Sequence, residues 1–174
     1  MINYRINSVE GYSERIGELV SMLEHTRAVT LKEIKGLTQM DLDYLSHEGS
    51  NSIGALLMHI ASIEFVHQVI TFEERDINKE ELLKWQAALE LGQQARQTIK
   101  LYQLDYYLNE LTLVRERTLS QLKNYNDDWL FEERQWDNGV PHNYYYLWFH
   151  VLEDEISHGG QIRIIKRRLL QNNQ

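Results

Sequence analysis

Residues that break helices are almost missing from this chain. Its one proline is Pro141, and nine glycines are spread over 174 residues. Proline removes a backbone donor and clashes with the preceding helical turn, while glycine costs backbone entropy, so both gather where helices stop. Long stretches free of either point to an all-α chain rather than to short strands punctuated by turns.

The apolar periodicity places the helices. Over 10–36, Ile16, Leu19, Val20, Leu23, Val29 and Ile34 recur mostly at three- and four-residue spacing, with Gly36 as the stop. Residues 37–50 read as a loop in which Thr38 and Asp41 suit a capped turn. Ser50, Asn51 and Ser52 offer N-cap side chains for a helix over 52–73, whose stripe is Leu56, Ile63, Val66 and Ile70 with His59 among them. A shorter helix over 79–95 carries Leu82, Leu83, Trp85, Ala88 and Leu89. A long one over 104–123 carries Leu108, Leu111, Val114, Thr118 and Leu122. The segment 124–142 is irregular. Trp129, Phe131 and Trp136 suggest that it packs down, and Asn138-Gly139 marks a turn within a short hairpin-like excursion. The last helix covers 143–170. With no repeat or linker, 1–174 reads as a single domain. The predicted fold is a four-helix bundle with a short extra helix and an irregular segment before the last helix, its long connections permitting a non-sequential order.

Composition removes several functions. The chain has no cysteine, which excludes disulfides, thiolate ligands and a cysteine nucleophile. Any thiol chemistry must use an external thiol. The formal charge is −8, and the one basic cluster, over 163–168, ends the last helix, where cations suit the helix dipole. Nucleic acid is therefore not an expected partner. No apolar run approaches the roughly 18 residues of a membrane span, and the N-terminus lacks a signal-peptide core, so a cytoplasmic protein is expected. The four tryptophans and ten tyrosines read as packing groups, and aromatic-rich helix faces make a homodimer the default.

The chemistry concentrates in His150-Val-Leu-Glu153-Asp154-Glu155-Ile-Ser-His158-Gly-Gly160-Gln161. On a wheel of about 100° per residue, Leu147, Trp148, Val151, Ile162, Ile165 and Leu169 form the apolar stripe. His158 falls in its middle, Asp154 and Glu155 on its flanks, and His150 at its edge. A carboxylate turned toward a core costs several kcal/mol unless its charge is compensated, and a divalent cation is one compensation. Asp154 and His158 are four apart, hence neighbours on one helix face, at the spacing of the two histidines in H-E-x-x-H zinc helices. His59, in the stripe of the second long helix, is the best third donor. Two imidazoles and a carboxylate leave coordination positions open, as catalytic sites do. Taken singly, His59 is more often a core histidine and Asp154 an ion-pair partner of a base such as Arg163.

A competing arrangement uses both Glu-x-x-His motifs, Glu64 to His67 and Glu155 to His158. With glutamates drawn from Glu24, Glu33, Glu110 and Glu116, they would describe a di-iron carboxylate bundle. Glu64 lies roughly 140° around its helix from His59, so the two arrangements ask for opposite rotations of that helix.

Asn51-Ser52-Ile53-Gly54-Ala55-Leu56-Leu57-Met58-His59-Ile60, followed by Glu64, resembles the second-helix signature of the DinB/YfiT-like four-helix proteins. Glu153-Asp154-Glu155-Ile156-Ser157-His158-Gly159-Gly160-Gln161-Ile162 is similar to that family's closing helix. The resemblance implies a divalent metal, commonly nickel or zinc with manganese or iron as further candidates, held by three histidines. Carried over, His59 and His158 are ligands and Asp154 stands where the middle histidine is usual. Gly159 replaces a usual arginine, and Gln161 matches a residue that could orient a ligand. The implied activity is a metal-dependent transfer of a small-molecule thiol to small electrophiles. The alternative is a non-catalytic binding or stress-response protein with a degenerate metal site.

Overall fold

The computed structural model describes residues 2–172. Four long helices form the bundle: α1 (Glu14–Ile34), α3 (Ile53–Phe72), α6 (Leu104–Leu122) and α8 (Tyr144–Asn172). The short helices α2 (Gln39–Asp43), α4 (Lys79–Glu90), α5 (Gly92–Thr98) and α7 (Asp127–Leu130) fill the connections. Strands β1 (Glu133–Gln135) and β2 (Pro141–Asn143) make an antiparallel hairpin in which Arg134 pairs with His142. The expected all-α bundle is thus observed, with the hairpin lying inside the irregular segment. Helix α3 packs on α6 and α8, and α8 packs on α1, so the first and last long helices are neighbours.

Local chemistry explains the boundaries. Helix α1 starts at Glu14, four residues later than its periodicity suggests, because Gly11 takes a left-handed φ of 89°. Thr38 and Asp41 close a reciprocal capping box on α2, and the Ser52 side chain accepts the Ala55 N–H at the start of α3. The expected helix over 79–95 is two helices. Leu91 has a φ of 55° and Gly92 one of 67°, which ends α4 and opens α5. Leu83, expected in the core, is 86% exposed. Trp129 is buried, but Phe131 and Trp136 are partly exposed rather than packed down.

Helix α3 is long and apolar enough to cross a membrane by length and composition, contrary to the expectation that no segment qualifies. In the fold, 78% of that window is buried among other helices. It is the central helix, covered on most sides. Gly54 permits a close approach to α6, since a Cβ there would clash with the Tyr107 hydroxyl oxygen.

The apolar interior has two parts. One gathers Ile34, Leu56, Leu57, Ile60, Leu111, Val114 and Ile162; the other gathers Ile16, Leu19, Leu23, Leu122, Trp148 and Val151. A buried charged layer lies between them and takes one residue from each long helix: Arg27, Glu64, Arg115 and Glu155. Arg27 donates from Nε to Glu155 Oε1 at 2.8 Å and from Nη2 to Glu64 Oε2 at 2.9 Å. Arg115 donates from Nε to Glu64 Oε1 at 2.7 Å and from Nη2 to Glu155 Oε2 at 3.3 Å. Remaining donors reach backbone carbonyls, Arg27 Nη1 to Leu111 and Arg115 Nη1 to Leu23. Thr118 donates to Glu64 and receives a bond from Gln68. Two cations face two anions, so the layer is neutral and its buried donors are satisfied.

Burial alone would raise the pKa of Glu64, but the charges of Arg115 and Arg27 reverse that and hold it at about 2. Its stabilising effect is complete above the ordinary value of 4.5 and is lost as pH falls toward 2. Glu64→Gln is therefore expected to destabilise the protein by roughly 3–5 kcal/mol at neutral pH, because it strands buried arginine charge. The gap from wild type should shrink as pH falls through that window. Denaturant melts at several pH values check this, and a gap independent of pH contradicts it. Gly54→Ala should destabilise by about 1–3 kcal/mol through overpacking against Tyr107, despite alanine's higher helix propensity. An unchanged denaturation midpoint would contradict the close-approach argument.

Candidate metal centre

The charged layer uses one flank of α3. The opposite flank carries His59, which meets Asp154 and His158 of α8. His59 Nε2 lies 3.3 Å from Asp154 Oδ1, and His158 Nε2 lies 3.3 Å from the same oxygen. One donor atom from each of the three residues falls within 4.8 Å of the others. The imidazole rings of His59 and His158 meet edge to face at a centroid distance of 4.6 Å. All three side chains are between 10% and 14% exposed.

Backbone geometry fixes the tautomer of His59. Its Nδ1–H donates to the carbonyl of Ala88 on α4 at 2.8 Å. A neutral His59 therefore turns the lone pair of Nε2 toward a carboxylate oxygen at 3.3 Å. Lone pair facing lone pair in a buried setting is repulsive unless a cation lies between. That cation is a proton, which makes His59 an imidazolium, or a metal ion. At the same place Asp154 Oδ2 is buried without a partner. Such orphans are uncommon inside a protein and fit a site that takes a cation. The donor set of two nitrogens and a carboxylate suits nickel, zinc, iron or manganese. A carbonyl bond that orients a ligating histidine is also a usual outer partner of metal sites.

The electrostatics favour positive charge beside Asp154. Burial works to raise the pKa of Asp154, but hydrogen bonds from His158 and His59 hold the carboxyl far below its ordinary range. For His59, burial works to lower the pKa, while the bond and charge of Asp154 outweigh it and raise the value above 6.5.

The competing di-iron arrangement does not form. Glu64 and Glu155 are consumed by Arg27 and Arg115, and Glu24 also reaches Arg115. Glu110 pairs with Lys84, and Glu33 with Lys166. Sequence reasoning missed both arginines. Arg27 continues the stripe of Leu23, Thr30 and Ile34, and Arg115 that of Leu111, Thr118 and Leu122, so a cation on each apolar stripe was the available signal. Gln161 is exposed, and it is the carbonyl of Ala88 that holds the His59 ring. Asp154 pairs with the two histidines, not with Arg163.

A cleft of about 610 Å³ lies elsewhere, lined by Ile70, Arg75, Arg134, Trp136, His142 and Tyr144 among others. Its guanidiniums are already paired, Arg75 with Glu73 and Glu81, and Arg134 with Glu74 and Glu132. Three donor atoms within 4.8 Å of one another make the His59–Asp154–His158 cluster the stronger site.

The comparisons with known proteins agree with this architecture. A family model described as mycothiol-S-transferase matches residues 18–171. No protein of curated function matches. Among solved structures, a conserved protein from Enterococcus faecalis superposes with a TM-score of 0.68 at 13% identity, covering 88% of this chain and 95% of that one. An uncharacterized protein from Clostridium difficile 630 gives 0.68 at 14% identity, covering 87% and 95%. A protein from Streptococcus pneumoniae gives 0.67 at 16% identity, covering 96% and 94%. At these identities the structures establish a shared fold.

In metal-free protein, His59 should titrate above 6.5, and Asp154→Asn should lower its titration point, because burial is then opposed only by the backbone bonds to Ala88 and Leu89. The sign follows for stability: the His59 contribution is present below the unfolded-state value and fades as pH rises through the folded one. Imidazole NMR titration of wild type and variant measures both values. A titration point that does not move would remove the Asp154 contact from the explanation.

Proposed function

The chain belongs to the mycothiol-S-transferase family, within the DinB/YfiT-like superfamily, and from that premise we propose that it transfers a low-molecular-weight thiol to small electrophiles at a divalent metal held by His59, Asp154 and His158. The observation that carries the metal assignment is the His59 Nε2 lone pair turned toward Asp154 Oδ1 at 3.3 Å, with Ala88 holding the ring so that it cannot turn away. A bound divalent ion acts as a Lewis acid and lowers the pKa of a thiol. The protein's own residues do the rest. His59 and His158 supply neutral nitrogen donors from two helices that the charged layer holds in phase. Asp154 supplies the anion that offsets a buried cation. The lack of cysteine in the chain fits an external thiol as the nucleophile. A cytoplasmic homodimer belongs to the same reading.

One observation favours a second reading, a binding protein without catalysis. Asp154 stands where the family resemblance implies histidine, and its ion pair with a protonated His59 already neutralises it.

Elemental analysis of tag-free protein after incubation with nickel, zinc, manganese or iron tests the site. Near-stoichiometric metal is expected in the wild type and at least a tenfold loss of affinity in both His59→Ala and Asp154→Ala. Thiol consumption is then measured with mycothiol, bacillithiol, glutathione and coenzyme A, with and without metal. A wild-type chain that binds none of these metals would refute the metal reading. Bound metal without turnover above the metal-free control would leave the binding protein.

A further inference from the structure

The metal cluster is one end of a longer polar strip. Helix α8 presents His150, Asp154 and His158 at successive four-residue steps, which places them in a line along one face. Helix α3 runs antiparallel to it. His59 lies opposite Asp154 and His158, and His67 lies opposite His150, with ring centroids 5.4 Å apart at a tilt of 52°. His150 stands one turn, about 6 Å of helix axis, from Asp154. The function proposed above uses neither His67 nor His150.

Their surroundings give the two rings different capacities. His67 is buried and donates from Nδ1 to the Ile63 carbonyl at 2.7 Å. Burial is the main reason its pKa is pushed down to about 4, and neighbouring His150 adds to the effect against the opposing charges of Asp154 and Glu64. His67 is thus neutral near pH 7. The His150 side chain is 40% exposed, and its Nδ1 lies 3.4 Å from Glu153 Oε2. The Tyr146 ring lies parallel to it at 6.4 Å. With Nδ1–H donating to Glu153, the Nε2 of His150 carries the ring's free lone pair. Of the four imidazoles in the strip, His59 is held by Ala88 and Asp154, His158 faces Asp154, and His67 is sealed. His150 is the one placed to exchange a proton with solvent between turnovers.

We infer that His150 is the general base that takes the proton from the thiol beside the metal centre, with Glu153 as its positioning residue and His67 as a neutral wall. The inference rests on the thiol-transfer reading. The thiol S–H bond breaks and its proton moves to His150 Nε2. The thiolate forms a C–S bond at the electrophile, the bond to the leaving group breaks with its electron pair, and the imidazolium returns its proton to the leaving group or to water. Imidazole is well matched to this task near neutral pH.

The test uses the full-length chain loaded with zinc, mycothiol as thiol and a bimane bromide as electrophile. Nitrogen-15 NMR should report His150 neutral before mycothiol is added and cationic after it binds. In His150→Gln the proton should be released to the buffer instead, turnover should fall by a factor of roughly a hundred or more, and metal content and KM should stay within about threefold. Glu153→Gln should lower kcat about tenfold while KM and metal content stay within about threefold, a split that a purely structural role for Glu153 would not produce. If mycothiol perturbs His59 and His158 while His150 stays neutral, and His150→Gln turns over at the wild-type rate, the base assignment falls and thiol transfer survives. If the wild-type zinc protein binds no mycothiol, both fall.

Discussion

The four-residue charged layer sets the phase of every long helix. Arg27, Glu64, Arg115 and Glu155 come one from each of α1, α3, α6 and α8, and each guanidinium bridges both carboxylates. An apolar core tolerates helices that rotate or slide by a few degrees. A buried bidentate ion pair does not, because a small rotation strands charge in a low-dielectric interior. The layer sits between the two apolar clusters, so each cluster packs against helices whose rotation is already decided. Hydrophobic isosteres could give similar stability, and the distinctive contribution of the layer is a single helix register.

That register is what creates the candidate site. Asp154 and Glu155 are adjacent on α8 and therefore diverge by about 100°. With Glu155 locked on the arginines, Asp154 is turned to the other flank, toward His59. The same division occurs on α3, where Glu64 faces the arginines and His59 faces α4 and α8. Because α3 is covered on both flanks, it does not have to choose between the two rotations that the sequence seemed to oppose. Short helix α4 completes the arrangement by placing the Ala88 carbonyl where it fixes the His59 ring.

These facts separate what was legible in the sequence from what was not. The long helices were legible because three of them are amphipathic, and the caps at Thr38 and Ser52 were legible because their side chains bond locally. The cluster of His59, Asp154 and His158 was legible from a four-residue spacing and one histidine on an apolar stripe. The break at Leu91 was not, since a left-handed leucine is imposed by the packing of α4 and α5 rather than by local preference. On α3 the spacing predicts a buried stripe of Leu56, Ile63, Val66 and Ile70; Leu56 is buried, but Glu64, His67 and Gln68 are buried more deeply than the other three. Periodicity fails on a helix buried nearly all round. The charged layer was hidden for a related reason: four residues far apart in sequence neutralise one another, and no single segment shows it.

On the proposed metal reading, an aspartate in place of a third histidine also changes what the remaining residues must do. Three neutral imidazoles would leave a divalent ion its full double charge, and a thiol bound there would be strongly acidified. With Asp154 as a donor, one unit of that charge is offset inside the site. A bound thiol then feels a weaker field and keeps more of its proton near neutral pH. A site of this composition gains more from a nearby proton acceptor than an all-histidine site does. The strip along α3 and α8 has an unassigned imidazole at that position, one helical turn beyond Asp154 and partly open to solvent. On the thiol-transfer reading proposed above, a histidine at position 154 would leave the ion its full charge and reduce the need for His150 as a base.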